Sequence, residues 1–183
     1  MKILKSYFFI IFLVSMLTTT AWGRIVTAEE MTPQGKIEIW AYINSRDELY
    51  EGDPISYDVM LNNKLLFQQK DGYSIHFEWG KPLHPPSELV LLGLGSGDPY
   101  CDSFYRLIDA RKSAPLYVSE QFGNCNEAIV HEEGNKVIFY FQQSYENPET
   151  AYIYTRETKL QKIPVTAAMR KYPIPGVLPD KPT

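Results

Sequence analysis

Between residues 73 and 79 the side chains alternate at every step. Tyr73, Ile75, Phe77 and Trp79 fall on one side, and Ser74, His76 and Glu78 on the other. A period of two is the pattern of a strand with one face buried, and a helix cannot sort such a run into two faces. The pattern recurs upstream. Ile37, Ile39, Ala41 and Ile43 alternate with Lys36, Glu38, Trp40 and Tyr42, and Ile55, Tyr57, Val59 and Leu61 alternate with Ser56, Asp58 and Met60. Asn62-Asn63 and Asp71-Gly72 bracket a further run at 64–70, and both dipeptides tolerate the positive φ of a tight hairpin turn. Residues 36–79 therefore predict an antiparallel meander.

The loop at 80–86 carries Pro82, Pro85 and Pro86 and ends that meander, because proline cannot donate to a ladder. Leu89, Val90, Leu91 and Leu92 are apolar on both faces, which predicts a central strand covered on both sides. Further strands are expected at 103–109, 116–122, 128–131, 137–142, 151–156 and 159–163, with Gly134-Asn135 as another turn. No segment keeps a 3.6-residue period over about eleven positions; the nearest is 165–172. Thirteen Tyr, nine Phe and three Trp supply enough bulky surface for a packed core. The expected fold is all-β, an antiparallel sandwich or barrel of about 9–10 short strands. It occupies residues 24–163 as a single domain, and a proline-rich tail follows at 164–183.

Residues 1–23 have the three parts of a secretory signal peptide. Lys2 and Lys5 give a positive start, an apolar run follows at 7–17, and Ala21-Trp22-Gly23 offers a small-x-small cleavage pattern. The apolar run is shorter than the roughly 20 residues that span a bilayer, so cleavage after Gly23 is expected rather than a retained membrane anchor. Export places the mature chain in an oxidising compartment, the periplasm or outside the cell. The full chain carries 18 basic and 22 acidic residues; losing Lys2 and Lys5 leaves 16 basic residues and makes the balance more acidic. An acidic balance argues against nucleic-acid binding through a general basic surface.

The two cysteines, Cys101 and Cys125, form an even set in an oxidising compartment, and no CxxC spacing points to redox or metal chemistry. A hairpin with Cys101 opposite Cys125 would set Arg106 opposite Glu120, Phe104 opposite Phe122 and Ile108 opposite Val118. Opposite charges and aromatic pairs facing one another are what a stable ladder prefers. A disulfide clamping this hairpin closes a loop of about 25 residues, for about 3 kcal/mol.

The string Cys101-Asp-Ser-Phe-Tyr105-Arg106, followed by Phe122-Gly123-Asn-Cys125, resembles a largely uncharacterised group of small exported proteins of Gram-negative bacteria carrying C-x-x-x-Y-R and then F-G-x-C. The resemblance implies a bacterial, periplasmic setting and transfers no catalytic residue. It agrees with the disulfide hairpin and implies supporting roles for Tyr105 and Arg106.

Catalytic patterns are weak. His76 lies on the polar side of its strand, His84 in the proline-rich loop, and His131 before Glu132, Glu133 and the Gly134-Asn135 turn; none has the spacing of HExxH. All three read as surface polar residues, so no metal or cofactor is expected. The run Gly93-Leu94-Gly95-Ser96-Gly97-Asp98 lacks the Gly-Lys-Ser/Thr and the following helix of a phosphate loop, and reads as a flexible turn or as backbone close to the disulfide. Asp98 and Asp102 are a weak signal for Ca²⁺. Trp40, Tyr42, Trp79, Tyr140, Tyr152 and Tyr154 are the aromatics able to line a sugar groove, although aromatic residues on strands mostly fill cores. Trp40 and Tyr42 share the less apolar face of their strand, and Tyr140 is out of phase with Val137, Phe139 and Phe141, which marks these three as an expected binding surface. The expectation is a non-catalytic periplasmic β domain that binds another macromolecule, as an inhibitor or immunity-type protein or an envelope accessory. The alternative is a small hydrolase with dispersed catalytic residues, using His76 or His131.

Overall fold

The computed structural model describes residues 23–43, 56–70, 74–78, 88–98, 101–143 and 147–172. Residues 1–22 of the expected signal peptide, the expected turn at Asp71-Gly72, Trp79, the expected proline-rich loop with His84, and residues 173–183 lie outside the described residues. Among the described residues, twelve strands form three antiparallel sheets of four. The first holds β1 (Gly23–Thr32), β2 (Gly35–Ile43), β3 (Ser56–Leu61) and β4 (Lys64–Lys70) in sequence order. The second holds β5 (Ser74–Phe77), β6 (Leu89–Asp98), β7 (Cys101–Asp109) and the short β8 (Tyr117–Val118). The third holds β9 (Ile129–Glu133), β10 (Lys136–Phe141), β11 (Thr150–Thr155) and β12 (Lys159–Ile163), in the order β12-β11-β10-β9. The all-β antiparallel fold is thus as expected, in three layers.

The alternation decides the layering. Ile37, Ile39, Ala41, Tyr57, Val59 and Leu61 of the first sheet pack against Ile75, Phe77, Val90, Leu92, Leu94 and Ile108 of the second. The opposite phase of the second sheet, Leu91, Tyr105 and Leu107, packs with Phe122 against Val137, Phe139, Phe141 and Tyr154 of the third. The second sheet is therefore buried on both faces along β6 and β7, which is why residues 89–92 are continuously apolar. Each fully buried aliphatic side chain contributes about 1.5–3 kcal/mol. These two cores together outweigh any single polar contact in the molecule.

Turn chemistry follows the sequence. Asn62 and Asn63 join β3 to β4 with φ of 49° and 64°, the left-handed pair of a type I′ hairpin. Gly134, with φ of 61°, turns β9 into β10. Three expectations need correction. The meander does not continue from β4 to β5, because β4 closes the first sheet and β5 opens the second. A period of two assigns a strand but not its neighbour, so partner choice follows from which faces must be buried. The glycine-rich run at 93–98 is not a turn but the second half of β6, and its end lies beside the disulfide as the other reading had it, since Asp98 pairs with Cys101. At Gly93 and Gly95 the side chains of His76 and Ser74 of the paired strand lie across the backbone, and a Cβ would stand 2.5 Å from His76 Nε2 and 2.3 Å from Ser74 Oγ, so either side chain would have to swing aside.

The third correction concerns the disulfide hairpin. Cys101 and Cys125 are bonded, and Ile108 pairs with Val118 as the register requires. Farther along, however, Phe122 bridges Tyr105 and not Phe104. One extra residue is accommodated after Val118: Ser119 N donates to Leu107 O at 2.9 Å while its Oγ accepts from Leu107 N at 2.9 Å. Arg106 consequently reaches Ser119 O (Nη1 donating, 3.0 Å) and does not face Glu120. Because a one-residue slip exchanges faces, Phe122 is sent into the core between the second and third sheets, beside Tyr105, Phe139 and Phe141. Phe104 packs instead toward the first sheet.

β1 had no sequence signature because its phase breaks. Val26 pairs with Trp40 and Ala28 with Ile39, which leaves Thr27 as a bulge residue and erases a simple alternation. Residues 164–172, the start of the proline-rich segment, pack on the outer face of the third sheet: Met169 is buried, and Val165 and Tyr172 join it over Ile129, Ile138, Tyr140 and Ala151.

Candidate functional site

The outer face of the first sheet gathers the side chains that its inner face excludes. Register sets them in rows: Arg24, Tyr42, Ser56 and Lys70; then Val26, Trp40, Asp58 and Gln68; then Glu29, Glu38, Met60 and Leu65; and finally Met31 beside Lys36. Trp40 and Tyr42 are half-buried at its centre. Around them Val26, Met31 and Leu65 are 41%, 61% and 50% exposed, three of the five large exposed hydrophobic residues among the described ones. Here the structure brings together two of the three residues expected to bind.

Polar contacts hold this face in shape. The Arg24 guanidinium lies 3.8 Å from the centroid of the Trp40 ring, a close cation–π stack. Tyr42 Oη donates to Asp58 Oδ2 at 2.6 Å, and Gln68 Nε2 donates to Asp58 Oδ1 at 2.9 Å. The hydrogen bond to Asp58, with burial, raises the Tyr42 phenol above its ordinary value. Lys36 Nζ bridges Glu38 at 2.6 Å and Glu29 at 3.2 Å. That ammonium holds the Glu38 carboxyl below its usual range, against the effect of burial. Both nearly buried carboxylates, Glu38 and Asp58, are therefore engaged as acceptors by neighbours, an arrangement that suits recognition better than proton transfer.

Tyr140 is separated from this pair. Its phase places it on the outer face of the third sheet as expected, but residues 164–172 cover that face and the ring is 3% exposed. Its hydroxyl donates to Glu149 Oε2 at 3.0 Å, and Glu149 is in turn ion-paired with Arg170. Tyr140 is thus a packing residue, because the start of the proline-rich tail lies across this face and covers it. Of the other aromatics, Tyr154 is buried and Tyr152 packs against the same core, so the described residues assemble no wider aromatic groove.

The histidines stand apart. His76 is half-exposed beside Glu78 on β5, and His131 on β9 stacks on Tyr172 with centroids 4.1 Å apart. Among the described residues no group of three His, Cys, Asp or Glu side chains converges on one point. The two residues named by the C-x-x-x-Y-R string both support the hairpin. Tyr105 Oη accepts from Ala128 N at 3.1 Å, and Arg106, besides its bond to Ser119, lies 4.7 Å from the Phe67 ring.

Sequence reasoning missed one charged cluster. Asp109 is completely buried, and its carboxylate accepts from Arg111 N (3.1 Å), Arg111 Nε (2.8 Å), Arg111 Nη2 (2.6 Å) and Tyr154 Oη. Burial alone would raise this carboxyl, but the Arg111 and Tyr154 hydrogen bonds hold it below its ordinary value. Burial, with the adjacent carboxylate, pushes the Tyr154 phenol up. Gln34 Nε2, from the β1–β2 turn, donates to the Arg111 and Ala114 carbonyls at 2.7 and 3.0 Å. This end of the molecule thereby ties all three sheets together. The available signal was Asp109 itself, a charge in phase with Tyr105 and Leu107 on an apolar face.

No protein family, curated protein or solved structure matches this chain.

Proposed function

We propose that this is an exported, non-catalytic protein that binds another protein in the bacterial periplasm through the outer face of its first sheet. The observation that carries this is the grouping of Trp40, Tyr42 and stacked Arg24 inside a rim of exposed Val26, Met31 and Leu65. Trp, Tyr and Arg dominate the energetics of protein interfaces, most effectively at the centre of a patch whose surroundings exclude water. An inhibitor or immunity-type role, or an accessory role in the cell envelope, fits such a surface. In the inhibitor version the acidic balance of the mature chain steers it toward a basic active-site cleft.

Periplasmic co-purification tests the proposal. Wild-type protein should bring down a stoichiometric partner, and Trp40→Ala should weaken that complex by at least tenfold while Glu132→Ala, on the third sheet, leaves it intact. A complex indifferent to Trp40→Ala overturns the proposed face. Absence of a partner together with turnover on a panel of hydrolase substrates overturns the binding role in favour of a hydrolase.

A further inference from the structure

We propose that two copies of this chain associate through the free edge of β1, each strand pairing with its counterpart about a twofold axis. Among the described residues no strand covers that edge, which leaves a row of backbone N–H and C=O groups open to a further strand. The other sheet edges are guarded or brief. β4 carries Lys64 and Lys70, β12 carries Lys159 and Lys162, and lysine on an edge opposes strand addition. β5, β8 and β9 have only four, two and five residues. β1 runs for ten residues with neither lysine nor proline. Its Ile25, Val26 and Met31, at 38%, 41% and 61%, are three of the five large exposed hydrophobic residues among those described.

Charge and phase fit this strand to a second copy of itself. In an antiparallel pair, residues directly opposite one another share a face of the sheet. Arg24 and Glu29 are five positions apart, so an unbroken strand would put them on opposite faces. The bulge at Thr27 restores the phase: Arg24 pairs with Tyr42 and Glu29 with Glu38, both on the outer face. An axis between Val26 and Thr27 therefore sets each Arg24 opposite Glu29 of the second copy. Ile25 then meets Ala28 on the inner face, Val26 meets Thr27, and no like charges face each other. Stacking on Trp40 occupies the flat side of the Arg24 guanidinium and leaves in-plane N–H groups to donate. Glu29, with a side chain 62% exposed, gives only Oε2 to Lys36, so Oε1 can accept from that guanidinium. The pairing joins two four-stranded sheets into one and sets both Trp40 patches on the same side of it.

Sedimentation of the mature protein from about 1 to 200 μM, a range suited to a single strand-to-strand contact, tests the edge. The wild type should pass from one chain per particle to two as concentration rises. Val26→Lys should weaken the dimer roughly tenfold or more, while Leu65→Lys, on the far edge of the same sheet, leaves it intact. Arg24→Glu and Glu29→Arg should each weaken it roughly tenfold or more, because each reversal turns two symmetry-related attractions into repulsions. Both reversals in one chain should restore the wild-type constant to within about threefold. All four positions are exposed, so the folded monomer tolerates these changes. A monomer at every concentration, a dimer indifferent to Val26→Lys, loss in Leu65→Lys, or no recovery in the double reversal would each overturn the proposal. Loss of the dimer bears on the edge of β1 and loss of a partner in Trp40→Ala on the outer face, so self-association and partner binding fail separately.

Discussion

Asn in place of Asp109 removes one charge and almost no volume, yet it should be among the most damaging single changes in this protein. Asp109 has no exposed surface, and its two oxygens accept three hydrogen bonds from Arg111 and one from Tyr154. An amide in its place turns one acceptor into a donor that must face either the guanidinium or the phenol, and it strips Arg111 of its counter-charge. Removing one partner of a buried pair costs about 3–5 kcal/mol. Because the Arg111 side chain is 19% exposed and water relieves part of the penalty, the lower end applies, about 3 kcal/mol. For a chain of this size that corresponds to a fall in Tm of about 6–12 °C. Tyr154→Phe leaves Asp109 its Arg111 bonds and should cost about 1–2 kcal/mol. The double variant should lose less than the sum, since both changes disturb the same carboxylate. Urea unfolding followed by circular dichroism, compared at constant m, measures all three. A loss below about 1 kcal/mol for Asp109→Asn would equal one ordinary hydrogen bond. It would refute the view that this cluster clamps the second sheet to the third.

The same cluster sets a pH window. The Asp109 carboxyl is depressed in the folded state, so its contribution is present above the unfolded value of about 4 and is lost as pH falls through the folded one. The Tyr154 phenol is raised, so its contribution is present below about 10 and is lost as pH rises toward its folded value. Wild-type stability should stay level between those limits, apart from other titrating groups. Asp109→Asn should flatten the acid slope and Tyr154→Phe the alkaline one.

Cys101→Ser or Cys125→Ser should lower stability by about 3 kcal/mol under oxidising conditions and by nothing relative to wild type under full reduction, read from paired thermal melts. Met169→Ala should cost about 2–3 kcal/mol and speed hydrogen exchange across residues 165–172, whereas unchanged exchange would mean that Met169 does not hold this segment on the third sheet.

The strands of this protein were legible wherever one face is buried without interruption. Ile37 to Ala41 and Ile75 to Phe77 announce themselves by period two, and residues 89–92 announce a doubly covered strand by lacking it. Legibility failed where local geometry breaks phase. The bulge at Thr27 hid β1, and the extra residue after Val118 moved Phe122 from Phe104 to Tyr105. The glycines of β6 read as loop because the side chains that lie across them, His76 and Ser74, belong to another strand. For the binding face, Trp40 and Tyr42 were found by phase alone. Val26, Met31 and Leu65 were not, because they reach that face only through the register of β1 and β4.

What the sequence by itself determined is therefore the strands whose phase is unbroken, the hairpin turns at Asn62-Asn63 and Gly134-Asn135, and the pairing of the only two cysteines. These depend on neighbours a few residues apart, or on there being no other partner. Tertiary structure alone decided that β4 and β5 belong to different sheets, that Tyr140 lies beneath Met169, and that Asp109 finds Tyr154 across a core. Each of these outcomes is a choice among apolar faces that look alike along the chain. That choice is settled only when three sheets compete to bury them.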